Sequence, residues 1–312
     1  MTHLADQGRV GNPYRIEGPA LISFSGGRTS AYMLKQIVDA HGGALPSNVH
    51  VVFCNTGKER EETLRFVHEC GERWGVRIHW LEWRDRRKRT PVDDRFEEVG
   101  FNSAARKGEP FKALIASKKA VPNAVQRWCT EHLKMQVCAD FMEAQGYASW
   151  TNVVGLRADE MRRVAKKVAQ NEEGKLPWQT VMPLMKAGVT KRDVRRFWFG
   201  QDTVDLTIPA DLLPQGFDLG LEEWEGNCTK CFNKSKALLI WDVRRDPADA
   251  LDWAAMEDSV GGTFTTEYSF HDLIREAESS PRLPLGDDFT EFDAECGVGG
   301  VDTSIRCGRT AA

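Results

Sequence analysis

A short apolar run, Ala20, Leu21 and Ile22, leads into S-F-S-G-G-R-T-S at residues 23–30, and the chain continues through Ala31, Tyr32, Met33 and Leu34. This order reads as a strand, a glycine turn and a helix start. Adjacent glycines, Gly26 and Gly27, let the backbone take conformations closed to other residues and approach a ligand closely. Hydroxyls at Ser25, Thr29 and Ser30, with the open amides of a helix start, would form an anion site for phosphate or sulfate. The same stretch also fits an ordinary strand-to-helix turn with a serine cap. Its spacing is neither that of G-x-x-x-x-G-K-[ST], since no lysine follows the glycines, nor that of G-x-G-x-x-G. What the turn holds must be read from the rest of the chain.

Strand-like and helix-like segments alternate through the first half. Residues 49–55 (V-H-V-V-F-C-N) read as a buried strand, and 59–74 as an amphipathic helix with Leu64, Phe66, Val67 and Cys70 among its apolar positions. A strand is expected at 77–83, a helix at 130–145 and a strand at 148–156, with a weak pattern over 92–123. The charge run at 85–89 reads as a solvated loop or as a steering patch for a phosphate-bearing ligand. The alternation predicts an α/β fold, a mainly parallel sheet with helices on both faces. Ligands of such sheets bind beyond the carboxyl ends of the strands, where residues 25–30, 55–59 and 155–160 would all fall. Helices are expected at 235–245, 247–257 and 269–278, the second opened by Asp246-Pro247. The expected division is an α/β domain over residues 15–215, carrying the glycine turn, and a mostly helical cap over 216–312.

With 41% hydrophobic residues, the 312-residue chain can bury a sizeable core. A net charge of -4 gives no global attraction to nucleic acid or membrane. No apolar run approaches the roughly 18 residues of a membrane span, and the polar N-terminus lacks an apolar signal core, so a cytoplasmic protein without a membrane partner is expected. Eight cysteines are spread along the chain, a usage that points to metal binding or redox work rather than a disulfide scaffold. Cys228 and Cys231 form a C-x-x-C, which could be a redox dithiol, half of a zinc site, half of an iron-sulfur site or a buried structural pair. Cys129 lies just before a helix, Cys138 reads as a core position on that helix, and Cys54 and Cys70 read as buried. Cys296 and Cys307 sit in a glycine-rich tail.

Four segments in order resemble the phosphoadenosine phosphosulfate (PAPS) reductase family, within the adenine nucleotide alpha hydrolase, or PP-loop, superfamily. S-F-S-G-G-R-T-S resembles its pyrophosphate loop, and F-C-N-T-G-K-E at 53–59 its second-strand motif. G-L-R-A-D-E-M-R-R at 155–163 is similar to its G-x-R-x-D-E-x-x-x-R segment, and P-L-M-K-A-G-V-T-K-R-D-V at 183–194 to the stretch where Pro-Leu precedes a Thr-x-x-Asp-Val helix start. The C-terminal stretch F-N-K-S-K-A-L-L-I-W-D-V-R-R-D-P looks like that of phage and bacterial PAPS-reductase-like proteins. The resemblance implies that Ser23, Ser25, Gly26, Gly27, Arg28, Thr29, Ser30, Asn55, Thr56, Gly57, Gly155, Arg157, Arg162 and Arg163 bind ATP or a sulfonucleotide, with room for magnesium. Thr29 and Asn55 stand where many relatives carry Asp, so negative charge beside the phosphates is reduced, whereas a cradle of backbone amides survives. The three arginines would make charge-assisted bonds to phosphate or sulfate oxygens; the alternative is a solvated basic helix face. Lys230, Lys234 and Lys236 fit either phosphate contacts or solvation.

Assimilatory adenylyl sulfate reductases pair a Cys-Cys with a distant C-x-x-C around a [4Fe-4S] cluster. Here Cys129, Cys228 and Cys231 match three of those ligands, with Trp128 in the place of the other cysteine. Cys296, in A-E-C-G-V-G-G, resembles the reductases' nucleophilic tail cysteine without its histidine, so it is expected either as the catalytic nucleophile or as the fourth cluster ligand. The resemblance implies reduction of PAPS or adenylyl sulfate to sulfite with a thioredoxin-like reductant. The alternatives are AMP-forming cleavage of ATP to thiolate an acceptor such as a nucleic-acid base, an adenylyltransferase like the ATP sulfurylase small subunit, which does not use the clustered cysteines, and a non-enzymatic nucleotide sensor.

Overall fold

The structure is a computed structural model and describes residues 11–85, 91–226 and 228–279. Its elements in chain order are β1 (Ala20–Ser23), α1 (Arg28–Ala40), β2 (Val49–Cys54), α2 (Glu61–Trp74), β3 (Ile78–Trp83), β4 (Phe96–Val99), α3 (Glu109–Lys118) and α4 (Trp128–Thr130). A π-helical stretch, Glu131–Gln136, joins α4 to α5 (Val137–Ala144). There follow β5 (Trp150–Val153), α6 (Met161–Glu173), β6 (Trp178–Val181), α7 (Pro183–Lys186), α8 (Lys191–Phe199), α9 (Lys236–Arg245), α10 (Pro247–Val260) and α11 (Phe270–Ser279).

The sheet runs β4-β3-β2-β1-β5-β6. β1 pairs parallel with β2 and with β5, β5 pairs parallel with β6, and β3 pairs antiparallel with β4. From β1 the chain crosses to β2 through α1, whereas α6 carries β5 to β6 in the opposite direction. Right-handed crossovers in opposite directions place their helices on opposite faces. The expected α/β fold with a mainly parallel sheet is therefore present, and the described C-terminal residues are helical, as α9, α10 and α11. The sequence left out β4 and α3, both inside the weakly patterned stretch. Among the described residues, no helix is long and apolar enough to cross a membrane.

Two compact units share the chain. Among the described residues, the first holds 11–53, 64–79 and 146–220, and the second 54–63, 80–85, 91–145, 221–226 and 228–279. In the first, Leu21, Ile22, Met33, Leu34 and Ile37 are buried, as the strand run and helical spacing require. Its aromatic centre is Trp198, with ring centroids of Phe197, Phe66 and Phe217 at 5.0, 5.2 and 5.5 Å. In the second unit α9, α10 and α11 pack on one another, and α10 also meets α3. Trp253 is the centre there, with Phe264, Phe270 and Phe111 at 4.9, 5.4 and 5.5 Å.

Candidate functional site

In the first unit, the turn after β1 is tied by its own hydroxyls. The Ser30 hydroxyl donates to the Gly27 carbonyl at 2.9 Å, and its oxygen accepts from the Ser25 backbone N–H at 3.2 Å. With that proton committed, the Ser25 hydroxyl is the donor in the 3.0 Å contact between the two side chains. Gly26 has φ 78°. Ser23 donates to Asn152 of β5 at 3.0 Å. Helix α1 begins with no side-chain cap and no acidic residue in its first turn, so its positive end carries no anionic side chain of its own.

Arg28 makes a bidentate pair with Asp218 at 2.5 and 2.6 Å, and its carbonyl accepts from the Trp198 indole. Thr29 accepts from Arg157 at 3.1 Å. Arg157 is buried, its guanidinium donates to Asp159 and its backbone N–H to Glu160. Burial would raise the Asp159 pKa, but the Lys191 backbone N–H and the Arg157 charge outweigh it and hold the carboxyl below its usual range. Arg163 pairs with Glu160, and Arg162 is exposed on α6. A Cβ on Gly155 would stand 3.3 Å from the Ser30 Cα, so the 155–163 segment approaches the turn through a position that tolerates little bulk.

In the second unit, Asn55 is fully buried and donates to Glu82 at 2.7 Å and to the Ala105 carbonyl at 2.9 Å, while its oxygen accepts from Gly57 N–H. Thr56 donates to Glu59 through N–H and hydroxyl, both at 2.9 Å. Its Oγ1 lies 3.6 Å from the Cys228 sulfur. Gly57 has φ 77°, and a Cβ there would meet the Gly108 backbone at 3.0 Å. Glu59 and Cys228 form an antiparallel bridge, and Thr229 N–H donates to the Lys58 carbonyl at 2.8 Å. The C-x-x-C is thus laced to the T-G-K-E loop.

Cys129, Cys228 and Cys231 line one cavity with Thr56, Lys134 and the apolar Phe111, Leu133, Phe232 and Trp253. All three are buried and carry no disulfide. As a donor set, reduced thiols on a largely apolar wall suit a thiophilic group such as an iron-sulfur cluster. Among the described residues, no three His, Cys, Asp or Glu side chains are disposed around a metal ion. The fit lies in donor type and a shared cavity. Cys296 and Cys307 lie outside the described residues. Cys54, Cys70 and Cys138 are buried as expected, and the Cys54 and Cys138 sulfurs stand 3.5 Å apart. Cys54 faces the Lys134 carbonyl as a donor, so the Cys138 thiol donates to Cys54; that bond, with burial, pushes the Cys138 thiol well above its ordinary pKa, and burial pushes up that of Cys70.

The lysines in and after the C-x-x-C divide by burial, Lys236 standing exposed as a solvated side chain would and Lys230 and Lys234 being buried. Lys230 pairs with Asp249 at 2.9 Å and Lys234 with Asp242 at 2.8 Å, while Lys236 pairs with Glu276. Lys58 joins Asp249 and Asp252, and Arg60 joins Asp242. The sequence reading missed this network, whose only local signal was the density of lysine beside C-x-x-C.

Comparison with known proteins decides the family, since the model of the phosphoadenosine phosphosulfate reductase domain matches residues 19–207. The chain belongs to the phosphoadenosine phosphosulfate reductase domain family. This is a family of PP-loop enzymes that bind an adenine nucleotide, and the match takes in the β1–α1 turn, Asn55, Thr56, Gly57, Cys129 and the 155–163 segment. The C-x-x-C lies beyond the matched residues. The uncharacterized nin region protein ORF290 of Escherichia phage lambda is 28% identical over 230 residues, 69% of this chain and 66% of that protein. An uncharacterized protein of Methanocaldococcus jannaschii is 27% identical over 167 residues, 53% of this chain and 28% of that protein. The chain thus spans just under two thirds of the phage relative and about a quarter of the archaeal one.

Proposed function

We propose that this family member cleaves a sulfonucleotide, PAPS or adenylyl sulfate, to sulfite with the help of thiols. The observation that carries the reading is the meeting of Cys129, Cys228 and Cys231 at one cavity wall with Thr56 of the T-G-K-E loop. In this reading the residues of the β1–α1 turn, with Arg157, Arg162 and Arg163, hold the phosphates. Cys129, Cys228 and Cys231 would hold a [4Fe-4S] cluster, which supplies positive polarisation and redox capacity to the site.

The Cys296 thiolate attacks the sulfonate sulfur, and the sulfur–oxygen bond to the phosphate breaks with its electron pair leaving on the nucleotide. The product on the protein is a cysteine S-sulfonate. A thioredoxin-type dithiol then attacks the cysteine sulfur, sulfite departs, and the second thiol restores Cys296. The dithiol supplies both electrons and ends as a disulfide.

A second reading rests on three cysteines, rather than four, lining the cavity among the described residues. Three thiolates suit a sulfur-transfer site. ATP would adenylate an acceptor such as a nucleic-acid base with release of pyrophosphate, and a hydrosulfide-level donor would then displace AMP.

Anaerobically purified protein is expected to contain iron and acid-labile sulfide and to release sulfite from one of the two sulfonucleotides in the presence of thioredoxin. Cys296→Ser should abolish that release. Formation of AMP and pyrophosphate from ATP with no sulfite would replace the first reading by the second, and zinc without sulfide would end the cluster assignment in both.

A further inference from the structure

Asp249 lies in the first turn of α10, and its carboxylate collects three donors. Lys58 Nζ reaches one oxygen at 2.9 Å, while Thr229 Oγ1 at 2.7 Å and Lys230 Nζ at 2.9 Å share the other. Thr229 and Lys230 are the two residues between Cys228 and Cys231, and Lys58 belongs to the T-G-K-E loop. Thr229 is held at further atoms, by N–H to the Lys58 carbonyl, by its own carbonyl from Lys234, and at its hydroxyl from the Trp253 indole. Lys230 is 1% exposed, so its chain folds inward onto the carboxylate instead of reaching solvent. Asp252, one turn along the same helix, takes Lys58 and Lys112 at 2.6 Å each and forms no hydrogen bond with the C-x-x-C.

We propose that Asp249 is a positioning residue of the cysteine site, clamping both inner residues of the C-x-x-C to the T-G-K-E loop and thereby fixing where the Cys228 and Cys231 thiols stand. The inference rests on reading Cys129, Cys228 and Cys231 as a thiolate-ligated centre. Partners behind the ligands commonly orient them, and a loop locked before the ligand arrives loses less on binding. The neighbouring Asp252 supplies the internal comparison, because it removes the same kind of ion pair without releasing the turn.

The test uses the full chain, reduced and free of iron, in four versions besides the parent: Asp249→Ala, Asp249→Asn, Thr229→Val and Asp252→Asn. Two quantities are read, the rate at which a chromogenic disulfide modifies Cys228 and Cys231, assigned by peptide mass, and the affinity for Co²⁺ followed by thiolate-to-cobalt absorption. Asp249→Ala should speed modification by about tenfold through local opening and weaken Co²⁺ binding by roughly 10- to 100-fold. Asp249→Asn should fall between it and the parent, with Thr229→Val shifted less in the same direction. Asp252→Asn should keep parental rates and affinity even if it melts earlier. Should Asp249→Ala not fold, Asp249→Asn and Thr229→Val decide. Equal changes from Asp249 and Asp252 variants, or none from either, overturn the proposal. A parent that binds neither Co²⁺ nor iron defeats the thiolate-centre reading, and the modification rates alone then judge Asp249.

Discussion

The turn after β1 and the loop after β2 both leave parallel strands, and they are held by opposite means. The first is tied by hydroxyls within itself, Ser25 to Ser30 and Ser30 to Gly27, with one bidentate ion pair at Arg28. The second sits among buried ammonium and guanidinium groups, Lys58, Arg60, Lys230 and Lys234, matched by Asp242, Asp249 and Asp252. A backbone cradle for phosphate needs room and open amides, so few side chains can crowd it. A turn that presents two thiols needs fixed positions, and a network of paired charges gives them only if every partner stays.

The largest effect is therefore expected in the second unit. Lys234 and Asp242 have side chains 0% and 1% exposed, and Asp242 also serves Arg60. Asp242→Asn leaves the buried Lys234 facing a neutral amide and weakens the hold on Arg60, which keeps Glu225 at 3.7 Å. The change should cost about 3–5 kcal/mol in urea unfolding. Asp218→Asn strands one cation, Arg28, whose side chain is 9% exposed and stands 5.0 Å over the Phe199 ring. It should cost less, about 2 kcal/mol. Equal losses would break the comparison.

The two glycine positions sharpen it next. Gly57→Ala needs φ 77° and drives a Cβ to 3.0 Å from Gly108 backbone atoms, which cannot swing aside as a side chain could. About 3 kcal/mol of destabilisation is expected. Gly27 lies at φ -99°, and its Cβ would meet only the Ser25 hydroxyl at 3.8 Å. Gly27→Ala should change stability by under about 1 kcal/mol, leaving nucleotide affinity as the quantity that responds. Calorimetric melting of both variants, with nucleotide titration of the second, separates the roles.

What the sequence disclosed follows the same line. β1, β2 and the helices after them were legible because continuous apolar runs and 3.6-residue spacing are local signals, and Cys54, Cys70 and Cys138 were legible as buried for that reason. β4 was not, since F-E-E-V at an antiparallel edge exposes Glu97 and Glu98 in succession and breaks the alternation. α3 gives scarcely more than one turn of apolar positions, Phe111, Leu114 and Ile115, after Pro110. Nothing in E-H-L-K-M-Q announces a π-helical stretch beside Cys129. The ion network was hidden for a different reason. Lys58 and Asp249 are 191 residues apart, and no pattern of spacing reports a pairing made only by tertiary structure.

A buried lysine in the first unit provides a smaller test with the opposite sign. Lys167 is 2% exposed and donates to Gln170 at 2.7 Å, and burial, with Lys166 and Arg163 nearby, lowers its pKa from 10.5 to about 8. Between about pH 8 and 10.5 the unfolded chain binds more protons there than the folded one, so stability rises with pH through that window. Below it the charged amine is a burden. Lys167→Met should stabilise at pH 7 by about 1–2 kcal/mol after the loss of the Gln170 bond, with the gain shrinking as pH climbs toward 10.5. A destabilised Lys167→Met at pH 7 would mean that its contacts outweigh its burial.

The smallest effect belongs to a helix start. Thr190 and Asp193 form a capping box at α8, with the Thr190 backbone N–H donating to Asp193 at 2.8 Å and its hydroxyl at 2.6 Å. Those bonds hold the Asp193 carboxyl below its usual pKa. α8 carries Trp198, whose indole donates to the Arg28 carbonyl and whose ring is the aromatic centre of the first unit. Thr190→Ala should cost about 1 kcal/mol, the ordinary value of an N-cap, if the helix merely frays at its start. A loss several times larger would mean that the cap positions Trp198 and, through it, the start of α1. The β1–α1 turn would then depend on a distant anchor, as we propose for the C-x-x-C and Asp249 of α10.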